Sequence, residues 1–100
     1  MGAALLANNK IFTGCNIENA SYSLTICAER VAGMSAVADG SKDFKEIAIA
    51  TEAEDFIVPC GSCLQFLAEF AEDMRVILVN NKGESKVTSL KELLPSPFSL

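Results

Sequence analysis

Two stretches, Cys27-Ala28-Glu29-Arg30 and Pro59-Cys60-Gly61-Ser62-Cys63, contain three of the four cysteines in this chain of 100 residues. Three thiolates can hold one zinc ion and leave the fourth tetrahedral position open for water, as in catalytic sites, whereas structural sites close all four positions. Glu29 places a carboxylate, which can move protons, close to that position. The two stretches therefore predict a zinc site built for chemistry.

Both stretches stand where the sequence pattern predicts the start of a helix. Apolar and small residues recur at helical spacing from Ala28 to about Ala38, and a second helix is predicted from about Ser62 to Phe70. The free amides and the positive dipole end of a helix N-terminus favour a thiolate over a thiol. Helix positions two apart do not share a face, so we expect Glu29 to reach over the open position and not to bind zinc beside Cys27.

The remaining pattern predicts strands connected by polar turns. Apolar runs are bounded by turn residues, and Asn8-Asn9-Lys10 predicts a hairpin turn. The predicted strands are Ala3–Leu6, Ile11–Asn16, Ile47–Thr51, Arg75–Val79 and a weaker Ser85–Ser89, with a short helix over Leu90–Leu94. The order β-β-α-β-α-β-β predicts a single domain over residues 1–100, with an α/β fold and a mixed β-sheet between helices.

Composition limits the partners of the chain. The formal net charge is −5, half of the residues are hydrophobic, and Lys and Arg form no cluster. Polynucleotide binding needs basic side chains against phosphates, so we predict no such partner. The segment Met1–Ala7 lacks a basic region and is too short for a signal peptide or a membrane span. We therefore expect no membrane contact and a cytoplasmic protein, in which cysteines indicate metal or catalytic thiols before disulfides.

Two other sites remain open for the cysteines. The segment Cys60-Gly61-Ser62-Cys63 could be a redox pair at a helix start, as in thioredoxin-like proteins, although Cys27 would then have no role. Cys15 could complete a closed structural site with four cysteines. Because Cys15 ends a β-type run, where a half-buried cysteine most often packs in the core, we expect it to be a core residue.

The motif Cys-Ala-Glu-Arg at 27–30 with Pro-Cys-Gly-Ser-Cys at 59–63 resembles the signature of zinc-dependent cytidine deaminases, in their small homotetrameric branch. The stretch Thr13-Gly14-Cys15-Asn16-Ile17-Glu18-Asn19-Ala20-Ser21-Tyr22 resembles the nucleoside-binding segment of that family, and Glu92-Leu93-Leu94-Pro95 resembles its ending. The similarity runs from Gly2 to about Phe98. It implies a three-layer α-β-α sandwich with a mixed sheet, shortened at the N-terminus.

The resemblance also implies a role for each residue of the site. The implied ligands of one zinc ion per subunit are Cys27, Cys60 and Cys63, and the implied catalytic proton shuttle is Glu29. Substrate contacts are implied for Asn16, Glu18 and Ala28. Contacts with the zinc ligands, rather than with zinc or the substrate, are implied for Arg30 and Gln65.

The chemistry of three of these side chains agrees with the implied roles. On an extended segment, residues two apart point to the same side, so Asn16 and Glu18 would together face a ligand. An amide and a carboxylate suit sugar hydroxyls, which both donate and accept hydrogen bonds. Zinc with three thiolates carries a net charge of about −1, and we expect Arg30 to reach a cysteine sulfur and compensate that charge.

The activity implied by the resemblance is hydrolytic deamination of cytidine and 2′-deoxycytidine to uridine and 2′-deoxyuridine plus ammonia, in pyrimidine salvage. Water activated at the zinc attacks C4 of cytosine while Glu29 moves the protons. The implied partners are a small nucleoside and further copies of the chain in a homotetramer.

The chain departs from the family pattern at two places. Leu64 stands where the family usually has arginine, so one cation near the thiolates is missing. Relatives usually begin about two dozen residues earlier with a helix, and without that helix we expect apolar surface to be uncovered on the sheet. Two alternatives follow: a catalytically impaired, zinc-stabilised structural or association domain, and a deaminase of a related cytosine compound such as blasticidin S.

Overall fold

Strands and helices follow each other in the predicted order in a computed structural model, which describes residues 1–16 and 27–95. The elements are β1 (Gly2–Ala7), β2 (Lys10–Cys15), α1 (Ala28–Asp39), β3 (Phe44–Ala50), α2 (Gly61–Ala68), β4 (Arg75–Val79), β5 (Ser85–Ser89) and α3 (Leu90–Leu93). Every predicted strand and helix is present, and the differences lie at the boundaries.

The strands form one mixed sheet in the order β2-β1-β3-β4-β5. Strands β3 and β4 are parallel, whereas β1 pairs antiparallel with β2 and β3, and β5 pairs antiparallel with β4. Parallel neighbours need a crossover connection, and the segment that contains α2 supplies it. The predicted α/β fold with a mixed sheet and helices is confirmed.

The β1–β2 hairpin turns at two asparagines with positive φ. Asn8 has φ of 50° and Asn9 has φ of 66°, a conformation that asparagine adopts more readily than most residues. The Asn8 side-chain oxygen also accepts a hydrogen bond from the backbone N–H of Asp43 at 3.1 Å. The predicted turn is therefore confirmed, and it is tied to the start of β3.

Alternating residues of the strands face the helices and form the core. The buried helix-facing residues of the sheet include Ala3, Leu5, Ala7, Ile47, Ile49, Val76 and Leu78, and they cluster with residues of all three helices. Helix α1 contributes its small face, Ala28, Ala32 and Ala36, each fully buried. Among residues 1–16 and 27–95 the helices thus share one face of the sheet, and a second helical layer is not among these residues.

Strand β3 begins earlier than predicted. The sequence pattern suggested a start at Ile47, because the charged Lys45 and Glu46 interrupt the apolar run. In the structure Phe44 already pairs with Ala7 of β1 and its ring lies 5.0 Å from that of Phe70. Partner strands and packing, which a local pattern does not contain, extend β3 to its observed start.

In the described part of the chain, no helix has the length and apolar character needed to cross a membrane.

Candidate metal centre

The start of each long helix is a cysteine. Cys27 is the N-cap residue of α1 and Cys60 is the N-cap residue of α2, both with extended backbone and neither with a side-chain capping hydrogen bond. Cys63 follows in the first turn of α2 and is fully buried. The predicted position of both cysteine stretches at helix starts is confirmed, and the uncapped sulfurs are available to a ligand.

The three sulfurs lie close enough to share one metal ion. The Sγ atoms of Cys27, Cys60 and Cys63 all lie within 4.8 Å of one another, and Cys60 and Cys63 are 3.3 Å apart. Tetrahedral zinc with Zn–S bonds of about 2.3 Å would set its sulfurs about 3.8 Å apart. Thiolates are ligands that suit zinc, so the residues present fit this ion.

Cys15 does not belong to this group. It ends β2, pairs with Gly2 across the hairpin, and is exposed. The prediction that Cys15 packs in the core is wrong, because the register of the edge strand turns its side chain to the face opposite the helices. Within residues 1–16 and 27–95, the metal-binding group contains three cysteines and no fourth, so it is not the closed four-cysteine site.

Glu29 is a buried carboxylate beside the sulfurs. It lies in the first turn of α1 with only 2% of its surface exposed. Its Oε1 atom has no hydrogen-bond partner among the described residues. A buried, unpaired carboxylate oxygen is costly in a folded protein, so its presence at this position indicates a ligand or a solvent molecule that it serves.

Burial and hydrogen bonding shift the pKa values of Cys60 and Cys63 in opposite directions. Burial raises the pKa of the Cys63 thiol far above its ordinary value, and hydrogen bonds with Cys60 and Cys27 and the charge of Glu29 raise it further. Burial also acts to raise the pKa of Cys60, but hydrogen bonds from the backbone and side chain of Cys63 outweigh it, and the net shift is downward. Only a cation would make all three sulfurs thiolates together.

Arg30 is the cation next to the site. Its Nη2 atom lies 3.9 Å from Cys27 Sγ. That hydrogen bond raises the pKa of Arg30, and burial opposes it only partly, since the charges of Cys63 and Cys27 also raise the pKa. Arg30 therefore stays charged at every relevant pH and offsets negative charge on the sulfurs.

The other expected contact residues lie in different surroundings. Ala28 is fully buried at the first position of α1, and Gln65 is half-buried in α2. Asn16 directly follows β2, and its Oδ1 atom accepts a hydrogen bond from the Met1 amino group at 3.4 Å. Glu18 lies outside the described residues.

Two features of the site escaped the sequence reasoning. A Cβ atom on Gly14 would lie 2.6 Å from both the Ala28 carbonyl oxygen and the Ala32 amide nitrogen, so β2 approaches the start of α1 as closely as only glycine permits. A glycine inside a strand pattern signals such an approach. Leu64, where a missing cation was expected, is 5% exposed and belongs to the core.

The sequence over residues 1–80 matches the model of the family described as "Cytidine and deoxycytidylate deaminase zinc-binding region". The chain belongs to the cytidine and deoxycytidylate deaminase family. A cytidine deaminase of Sporosarcina psychrophila is 48% identical over 99% of this chain and 74% of its own length. A probable cytidine deaminase of Dictyostelium discoideum is 50% identical over 99% of this chain and 68% of its own.

Solved structures of cytidine deaminases share the fold of this family member. The crystal structure of the enzyme from Burkholderia pseudomallei superimposes with a TM-score of 0.90 at 46% identity, covering 97% of this chain and 80% of that one. The Mycobacterium tuberculosis enzyme superimposes with a TM-score of 0.81 at 32% identity, covering 99% of this chain and 78% of that one. The family region is zinc-binding, in agreement with the three sulfurs of this chain.

Proposed function

We propose that this chain is a cytidine deaminase that hydrolyses cytidine and 2′-deoxycytidine to uridine and 2′-deoxyuridine plus ammonia. The observation that carries the proposal is the carboxylate of Glu29, buried to 2% exposure with an unpartnered oxygen beside three sulfurs. A structural metal site has no use for such a group. Membership of the family and the similarity to enzymes named cytidine deaminase support the same activity.

Zinc bound by Cys27, Cys60 and Cys63, one ion per subunit, would supply a Lewis acid that makes water nucleophilic near neutral pH. Glu29 takes a proton from the water that attacks C4 of cytosine and passes it to N3. It then carries the second proton to the departing amino group, which leaves as ammonia. Burial of Glu29 supports this shuttle, because bulk water does not compete for its protons.

Arg30 and Gln65 act on the zinc ligands and bind neither zinc nor the substrate. The guanidinium of Arg30 lies 3.9 Å from Cys27 Sγ and offsets the negative charge of the sulfurs. The sulfurs then donate less electron density to the zinc ion that they would hold, which must act as a Lewis acid. Gln65 lies two residues after the buried Cys63 on α2 and acts by holding that helix turn in place.

The sugar is the part of the substrate that Asn16 and Glu18 recognise. Asn16 directly follows β2, and Gly14 of β2 packs closely against the start of α1. This packing fixes the position of Asn16, the proposed sugar contact, relative to Glu29, the proposed proton shuttle. The amide and the carboxylate bind the ribose hydroxyls, and Ala28 contacts the base beside Glu29. The enzyme acts as a cytoplasmic homotetramer in pyrimidine salvage.

The test is an ultraviolet assay of deamination of cytidine and 2′-deoxycytidine by the zinc-loaded protein. Glu29→Gln keeps the size of the side chain and removes its ability to shuttle protons, so we expect kcat to fall by about 10²-fold to 10⁴-fold at unchanged zinc content. Glu69→Gln, at the exposed end of α2, is the matched control and retains full activity.

This assay distinguishes a nucleoside deaminase from a domain without activity and from a deaminase of another cytosine compound. No turnover of either nucleoside by the zinc-loaded protein overturns the enzymatic proposal, and so does turnover that Glu29→Gln leaves unchanged. Blasticidin S serves as a third substrate, and a preference for it over both nucleosides would overturn the proposed sugar recognition by Asn16.

A further inference from the structure

Asn80 is a buried amide at the carboxyl end of β4. It directly follows Val79 and has only 6% of its surface exposed. Strands β3 and β4 are parallel, and Ala50 is registered with Val79, so Asn80 lies at the edge of the sheet where β3 also ends. The connection from β3 to Cys60 of the metal-binding group leaves from this edge. A buried polar side chain at such a position must be satisfied by hydrogen bonds.

The side chain of Asn80 makes four hydrogen bonds, the full number that an amide group can make. Its Oδ1 atom accepts from the backbone N–H groups of Lys82 and Glu84, each at 3.0 Å. Its Nδ2 atom donates to the backbone carbonyl of Glu54 and to Glu84 Oε1, each at 2.9 Å. Backbone N–H groups require an oxygen, and carbonyl and carboxylate oxygens require a donor, so the partners themselves fix the orientation of the amide.

One of these four bonds leaves the turn between β4 and β5. The bonds to Lys82 and Glu84 stay within residues 80–84 and close that turn. The bond to the carbonyl of Glu54 crosses to the connection between β3 and α2. The turn itself has no need of this fourth bond, so Asn80 also serves the connection that leads to the metal-binding group.

Two backbone hydrogen bonds join the same segments. The N–H group of Thr51 donates to the carbonyl of Val79 at 3.0 Å, and the N–H group of Asn81 donates to the carbonyl of Ala53 at 2.9 Å. The side chain of Asn80 adds a third bond, which is nearer along the chain to the metal-binding group. It is also the one of the three that a substitution can remove without a change in the backbone.

The rest of the connection is held by apolar contacts. Within the described part of the chain, residues 55–59 make no hydrogen bond. Phe56 packs against the core, and Pro59 is buried. Cys60 is exposed and stands just before the first residue of α2. The path by which the chain reaches Cys60 therefore depends on where Glu54 is fixed.

We propose that Asn80 is a positioning residue for the zinc ligand Cys60, and that it acts through its hydrogen bond to the carbonyl of Glu54. Loss of a residue that orients a metal ligand lowers metal affinity about 10-fold to 100-fold. Asn80 acts through the intervening chain, so its effect lies at the lower end of that range. The inference rests on the proposed binding of zinc by Cys60 and on no step of the proposed reaction.

The substitution Asn80→Asp removes the donor and keeps the shape of the side chain. The bonds accepted from the backbone remain, but oxygen now faces oxygen at Glu54 and at Glu84. We expect the dissociation constant for zinc, measured by competition with a chelator, to rise about tenfold and the absorption bands of Co²⁺ bound at the site to shift. Asn81→Asp makes the same change at the exposed neighbouring residue and leaves both measurements unchanged.

A double variant separates the bond to Glu54 from the stability of the turn. In Asn80→Asp with Glu84→Gln, the new amide donates to the new carboxylate, so the contact within the turn returns while the carbonyl of Glu54 still lacks its donor. Hydrogen exchange of the backbone amide of Lys82 in the zinc-loaded protein reports the turn. We expect this exchange rate to return to the wild-type value in the double variant and the zinc affinity to stay low.

Recovery of zinc affinity together with the turn in the double variant would overturn the proposal, because the turn alone would then explain the loss. The double variant also carries the test if Asn80→Asp alone does not fold. Cys60→Ser tests the ligand itself, and zinc affinity that survives this substitution would reject both the ligand and its positioning. Affinity that is lost in Cys60→Ser but unchanged in Asn80→Asp would reject the positioning role and leave the proposed function intact.

Discussion

The ring of Phe66 on α2 fills the space in which a side chain on Gly33 of α1 would lie. A Cβ atom on Gly33 would stand 2.4 Å from Phe66 Cε2. The ring also packs against that of Phe70, with centroids 5.6 Å apart. Because α1 carries Cys27 and α2 carries Cys60 and Cys63, this contact sets the separation of the zinc ligands.

Gly33→Ala is therefore expected to push the two helices apart and to weaken zinc binding by about 10-fold to 100-fold, as changes that misplace ligands do. Competition with a chromophoric chelator measures the affinity. The absorption of Co²⁺ bound to the three thiolates provides a second readout, since its bands shift when the ligand geometry changes.

A compensating substitution checks that the effect acts through the ring. Phe66→Leu opens space beside Gly33, so the double variant Gly33→Ala with Phe66→Leu is expected to recover most of the zinc affinity. If the double variant binds zinc as weakly as Gly33→Ala alone, the contact does not control the ligand separation.

Removal of zinc is expected to destabilise the fold. An ion that binds only the native state adds about 2.7 kcal/mol to the free energy of unfolding at a free concentration 100 times the dissociation constant. Urea unfolding with zinc and with a chelator measures the difference. Cys27→Ser should abolish the response to zinc, whereas Cys15→Ser, which changes an exposed cysteine outside the metal group, should keep it.

Gly14→Ala is expected to impair substrate use more than zinc binding. The added Cβ would meet the backbone of Ala28 and Ala32 at 2.6 Å, and backbone atoms do not yield as side chains do. Strand β2 must then move, and Asn16 moves with it relative to Glu29. A misplacement of about 1 Å lowers kcat/KM by about 10²-fold, with KM rising and the zinc content unchanged.

A glycine on the neighbouring strand provides the control for this change. A Cβ on Gly2 would come no closer than 3.7 Å to the Gly14 carbonyl oxygen, an ordinary contact. Gly2→Ala should therefore leave kcat/KM close to the wild-type value. Equal losses in both variants would mean that the approach of β2 to α1 has no special part in the reaction.

Acid is expected to weaken the link between α1 and the β1–β2 hairpin. Hydrogen bonds from Lys10, at 3.0 Å, and from Ser41, at 2.8 Å, hold the pKa of Asp39 below its ordinary value. A lowered native pKa gives stability that is present above the unfolded-state pKa of about 3.9 and is lost as the pH falls through the native pKa.

Urea unfolding between pH 5 and pH 2 measures this loss. The free energy of unfolding of the wild type should fall more steeply below about pH 4 than that of Asp39→Asn. Asp55→Asn, in the exposed loop before α2, should follow the wild-type slope. The effect is small because the pair is exposed, and identical slopes for all three proteins would contradict it.

Local chemistry made part of the fold and site predictable. The turn at Asn8 and the helix starts at Cys27 and Cys60 each depend on a few neighbouring residues, and all three were found where the sequence indicated. The residue at which β3 begins, and the face of the sheet to which Cys15 points, depend on pairing with strands that are distant in the sequence. Register is a property of the assembled sheet, so these two features could not be derived from a local pattern.

Packing explains the remaining differences at the site. Leu64 offers no cation near the thiolates, and its place in the core depends on packing that the local pattern does not contain. Burial raises the pKa of the Cys63 thiol, and how deeply a side chain is buried depends on elements distant in the sequence, which a local pattern does not contain.

The buried carboxylate of Glu29 places the reaction and the stability of the fold in conflict. An unpaired charged oxygen in the interior lowers the free energy of unfolding by about 1–3 kcal/mol or more, and an apolar side chain of similar length would remove that cost. Selection for a stable fold alone would thus favour replacement of this residue. A lineage that no longer needed the reaction would lose Glu29 before it lost the sheet, the helices or the sulfurs.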